Sequence, residues 1–168
     1  DPRIDIILQN RDKKKDISRL LNIDEEDITT NIDDLLIKKN IKIFIGDICS
    51  SNSKINSRLK YLRNLDIIIG DVEIFEYPHD IILPKKVIGS VFINTTYKIE
   101  KIVCPEYVTG CFDLTIFESL NYLDLPRFIG TYFYYKGIDD TPNIINISCD
   151  YYYDKINNKE ARLLLERD

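Results

Sequence analysis

A chain of 168 residues, 44% apolar and 30% charged, is long enough for one globular domain that buries about 70% of its unfolded surface. It contains no run of about 18 apolar residues and no basic-then-apolar leader, so a membrane span and a secretory signal are excluded from the sequence as it stands. A net charge of −5 runs against the clustered Lys and Arg that coat phosphate backbones, and nucleic acid is disfavoured as a partner.

The chain holds 30 Ile, 13 Asn and 11 Tyr against one Ala (Ala161) and one Gln (Gln9). AT-rich codons produce this bias, which is common in large DNA viruses, phages, low-GC bacteria and certain protists. It also lowers the weight of any Lys or Asn run. There is no Met and Asp1 stands first, which points to a chain trimmed at its start. The cysteines Cys49, Cys104, Cys111 and Cys149 are 55, 7 and 38 residues apart, and His79 is the only histidine. That is not a zinc spacing, and it is too sparse for a disulfide framework. Free thiols in a reducing cytoplasm, no metal and no cofactor are therefore expected.

Residues 1–40 carry helical spacing. Ile17, Leu20 and Leu21 form one stripe, and Ile28, Ile32, Leu35 and Leu36 a second. Acids at Asp24 to Asp27 and lysines at Lys38 and Lys39 complement the dipole of that second helix. The basic run Lys13 to Lys15 reads as a solvated turn. The segment is predicted as an N-terminal helical cap.

From Ile41 the period becomes alternating. Ile41, Ile43 and Ile45, then Ile67 to Ile69, read as strands that end at a glycine. Gly46, Gly70, Gly89, Gly110 and Gly130 are 24, 19, 21 and 20 apart, while Pro84, Pro105 and Pro126 are 21 and 21 apart. Two residue types recurring near 20 predict a stacked solenoid. Apolar residues stand two and four positions past each glycine: Val72 and Ile74, Val91 and Ile93, Phe112 and Leu114, Tyr132 and Tyr134. Each pair should point inward from one short strand. Ile99, Ile102 and Pro105 match Leu120, Leu123 and Pro126 in the next repeat, and Val87, Val108 and Ile129 lead back to the next glycine. The solenoid is predicted over residues 41–153, with a last strand in 143–153 and a C-terminal cap or oligomer contact at 154–168.

The stretches Pro84 to Ile93 and Pro105 to Leu114 resemble the short leucine-rich repeats, about 20 residues long, of bacterial, phage and giant-virus proteins. The likeness spans roughly residues 41 to 150. Ile, Val and Phe stand where that class prefers Leu, its Asn ladder residue is missing, and the first repeat carries an insertion, Ser50 to Ser57. The resemblance implies an α+β repeat, a right-handed leucine-rich-repeat-like solenoid with one parallel sheet. It also implies a protein-interaction module, since the class is rarely catalytic.

No catalytic constellation stands out. His79 follows Tyr77-Pro78 in a turn with no nucleophile or acid at motif spacing. Asp71 and Glu73 bracket Val72, but Phe75 stands where a metal-dependent nuclease would want Lys, and no phosphate-cradling glycine motif occurs. The chain is not expected to be an enzyme. What the alternation does predict is an outer sheet face with two columns: Glu73, Phe92, Asp113 and Phe133 in one, and Phe75, Asn94, Thr115 and Tyr135 in the other. Aromatics among acids suit a protein partner, with Phe92 and Phe133 as anchors. The expectation is a non-enzymatic binding or scaffold module, viral or phage-encoded, in a host cytoplasm or virion. Two alternatives stay open: a homo-oligomeric structural component assembling through its sheet edges, and an enzyme of unrecognised type.

Overall fold

The computed structural model describes residues 14–38, 40–118, 120–131, 133–136 and 144–146. Lys14–Leu21 is the first expected helix, α1, with Ile17 fully buried. The second stripe departs from expectation. Ile28–Thr29 is a strand, β1, reached through a 3-10 turn at Glu25–Asp27, and only Asp34–Ile37 is helical, α2. Ile28 and Thr29 are both β-branched and find backbone partners along β2 (Ile43–Ile45), which outweighs their helical spacing. The Thr29 hydroxyl then donates to Asp34 Oδ2 at 2.5 Å, closing the turn into α2.

The strands that follow are β3 (Ile48–Cys49), β4 (Ile67–Ile69), β5 (Val72–Phe75), β6 (Ile81–Ile82), β7 (Lys86–Ile88), β8 (Val91–Thr95) and β9 (Lys101–Val103). Then come β10 (Tyr107–Val108), β11 (Phe112–Ile116), β12 (Tyr122–Asp124), β13 (Phe128–Ile129), β14 (Phe133–Lys136) and β15 (Ile144–Asn146). From β4 onward each strand pairs in parallel with the third strand after it. Among the described residues this makes three sheets: β1-β2-β4-β7-β10-β13, β3-β5-β8-β11-β14 and β6-β9-β12-β15. The fold is mostly parallel sheet with few helices, an α/β arrangement. The predicted post-glycine strands form the second sheet. The other two limbs of each repeat, expected only to turn back, also pair, because their backbone N–H and C=O groups run beside those of the next repeat.

Inward side chains of all three sheets meet in one core: Ile68, Val87 and Val108 from the first, Val72, Val91 and Phe112 from the second, Ile81, Ile102 and Leu123 from the third. The outer face of the first sheet is apolar too, and α1 covers it. Ile17 packs there with Ile28, Ile43, Ile45, Ile69 and Ile88, so β2 is buried on both faces and reads as an unbroken apolar run. The Ser50 to Ser57 insertion contains a short helix, α3 (Ser53–Asn56), capped by Asn52, whose Oδ1 accepts from the N–H groups of Lys54 and Ile55. After it, the 3-10 helix Leu59–Asn64 packs against β6 where the first repeat has no third-sheet strand, and Leu59, Leu62 and Leu65 fill the core there. Asp33 ties this insertion to α2. Lys54 Nζ stands 2.8 Å and Arg58 Nε 3.5 Å from its carboxylate, and the hydrogen bond from Lys54 holds the Asp33 carboxyl below its ordinary value.

The corners between the first and second sheets stack Gly46, Gly70 and Gly89, with φ of +143°, +152° and +152°. Beside them runs a polar ladder: Asp71 N–H donates to Asp47 Oδ1 at 2.9 Å, Ser90 N–H to Asp71 Oδ1 at 2.9 Å, and Cys111 N–H to Ser90 Oγ at 3.0 Å. The ladder that the sequence lacks as Asn is thus built from Asp and Ser one position past each glycine.

Gly130 breaks the predicted register. Ile129 lies opposite Val108, so Gly130 falls level with Thr109, one step before Gly110. Phe133, not Tyr132 or Tyr134, therefore pairs with Phe112. Phe133 is 2% exposed and stacks on Phe112 with ring centroids 5.6 Å apart. The outward anchor assigned to Phe133 is corrected: it is core. Tyr132, Tyr151 to Tyr153, residues 1–13 of the cap and the 154–168 tail lie outside the described residues. No helix among the described residues is long and apolar enough to cross a membrane.

Candidate functional site

The outer face of the second sheet is set by the strand pairing. Register places Cys49, Glu73, Phe92, Asp113 and Tyr134 in one row across five strands. Phe75, Asn94, Thr115 and Lys136 form the row beside it. Tyr135 takes the register position of Leu114 and leaves the predicted column, and Tyr134 stands where Phe133 was expected. The remaining predicted residues, Glu73, Phe75, Phe92, Asn94, Asp113 and Thr115, share this face as the alternation implied, because their core neighbours Val72, Ile74, Val91, Ile93, Phe112 and Leu114 are buried.

Successive rungs are about 4.8 Å apart, so aromatic and acid side chains alternate at contact spacing. Phe75 is 41% exposed, whereas Phe92, Asp113 and Tyr134 are half-buried among their neighbours. Glu73 Oε2 accepts from Cys49 Sγ at 3.8 Å. Asp113 has no hydrogen bond or ion pair among the described residues, and burial pushes its carboxyl above the ordinary value. The folded chain thus holds this proton to higher pH than the unfolded chain, so stability falls as pH rises through that window. Asp113→Asn is expected to raise the melting temperature at neutral pH and to leave it unchanged near about pH 3, where both side chains are uncharged. A lower melting temperature at neutral pH would show that the carboxylate is paired in the fold.

Other candidates fall to structural roles. Asp71, one of the acids weighed for a metal, accepts the Ser90 N–H in the corner ladder. Among the described residues no group of three or more His, Cys, Asp or Glu is placed to hold a metal ion. Cys104 precedes Pro105 as Leu83 precedes Pro84, and burial raises its thiol well above the ordinary value, leaving it a core side chain. His79 sits edge-on to Tyr77, with ring centroids 5.3 Å apart, in an open cleft of about 590 Å³ that also includes Lys60, Arg63, Asp80, Lys98 and Glu100. Its acids serve the stacking of repeats: Asp80 Oδ1 accepts from the N–H groups of Glu100 and Lys101, and Glu100 accepts from Asn121. Sequence reasoning missed one aromatic pair, Tyr107 and Phe128, stacked at 4.5 Å on the outer face of the first sheet. Their positions two past Pro105 and Pro126 carried that signal.

No protein-family model, no curated protein and no solved structure matches the chain in three comparisons.

Proposed function

We propose that the chain is a non-enzymatic protein-binding or scaffold module, a stacked solenoid that meets its partner through the outer face of the second sheet. The solenoid reading rests on the pairing of each strand with the third one after it, which lets one repeat template the next. The binding reading rests on one observation, the row in which Phe92 and Tyr134 alternate with Glu73 and Asp113 beside the exposed Phe75. Aromatic side chains in such a patch are the usual anchors of a protein interface, and nearby acids select against acidic surfaces. The AT-biased composition fits a viral or phage source, with the module working in a host cytoplasm or virion.

The test is Phe92→Ala in a binding assay against a partner cross-linked to the native chain, with a thermal melt alongside. Binding is expected to weaken by on the order of 2 kcal/mol while the melt changes little. If size-exclusion mass shows the chain itself as that partner, and Phe92→Ala restores the monomer, the module is a self-assembling component. Unchanged binding by Phe92→Ala and Phe75→Ala together would remove this face as the site.

A further inference from the structure

We infer that the triplet Phe92–Asp113–Tyr134 is a docking notch for an arginine side chain from a basic segment of the partner, a deepening that rests on the protein-binding reading above. Three observations carry it. Register fixes Asp113 directly between the two aromatic residues, on neighbouring strands β8, β11 and β14. Its carboxylate is half-buried without a hydrogen bond or ion pair among the described residues, although every other acid named in the corner or cleft ladders accepts at least one N–H. Lys136, its diagonal neighbour in the second row, forms no ion pair with it among the described residues.

A carboxylate in this setting loses hydration without gaining a counter-ion, so a cation brought from outside recovers what folding left unmet. Ring faces on both sides favour a planar guanidinium over an ammonium, because Arg stacks on an aromatic ring while pairing with a carboxylate through two N–H groups. Charge agrees at longer range: Glu73 lies in the same row, and the whole chain carries −5. The raised Asp113 carboxyl is a consequence of the same desolvation and supports the placement.

The experiment titrates the full chain with four capped peptides of equal length, rich in Arg, Lys, Glu or Leu, following backbone amide shifts by NMR and affinity by calorimetry. The Arg peptide is expected to move amides of β8, β11 and β14 and to bind more tightly than the Lys peptide. Asp113→Asn should weaken it about tenfold, Phe92→Leu should weaken it without removing the charge, and Glu106→Gln, at a distant exposed acid, should change nothing. Binding that survives Asp113→Asn, or that Glu106→Gln weakens equally, overturns the notch as general acidic attraction. If the Leu or Glu peptide occupies this face and the Arg peptide does not, the notch is wrong and the binding face stands. If none of the four shifts these amides, both fall.

Discussion

Gly70→Ala is expected to destabilise the fold by more than about 3 kcal/mol in chemical denaturation, at a site where the side chain added is a single methyl group. Elsewhere Gly to Ala commonly gains about 0.4–1 kcal/mol by restricting the unfolded chain. At position 70 two costs add. The backbone has φ +152°, which L residues rarely adopt, and a Cβ would land on the Gly46 carbonyl, with Asp47 Oδ1 3.0 Å away. Gly46→Ala is the comparison. It shares the unusual φ, +143°, but its Cβ would meet only the Phe44 ring at 3.3 and 3.4 Å, which leaves a backbone cost of about 1–3 kcal/mol. If Gly46→Ala proved the worse of the two, the close stacking of corners would be wrong.

Phe133→Ala is expected to cost about 3–5 kcal/mol of folding stability, as much as Phe112→Ala. Both rings are buried and stacked, so the double variant should lose less than the sum, since each single change already forfeits their shared contact. Tyr134→Ala, in the outer row, should unfold the chain much less. Equilibrium denaturation of all four variants decides it. A harmless Phe133→Ala beside a damaging Tyr134→Ala would restore the glycine-based register and shift the outer row by one residue.

That register shows what the sequence could reveal and where it stopped. Prolines 84, 105 and 126 keep true period in the fold, and residues seven and nine past each one, Val91 and Ile93, Phe112 and Leu114, Phe133 and Tyr135, hold equivalent positions. Measured from glycine instead, the last strand comes out one residue early, because Gly130 follows Ile129 directly whereas Gly89 and Gly110 stand two past Val87 and Val108. A period-two pattern turns that slip into a swap of faces, and it moved Phe133 from core to surface. Alternation in the intact repeats sufficed for Glu73, Phe92 and Asp113. The first and third sheets were harder to see, since strands of two or three residues are too short to show alternation. The β-strand at Ile28–Thr29 was hidden for a different reason: its pairing partner lies fifteen residues on, and local spacing carries no trace of it.

The slip at Gly130 also says where this architecture tolerates change in length. One residue is lost there between two strands, and the strands on either side still meet their counterparts in order. In the first repeat the extra residues are taken up between β3 and β4 by a helix and a 3-10 turn, again without disturbing either sheet. Growth or loss of chain is thus confined to bends, while a residue added inside β8 or β11 would turn a whole rung inside out. A gain of 21 residues from one proline to the next would do neither. It would add a complete rung, lengthen the outer rows by one side chain each, and extend the reach of the surface without altering what was already there.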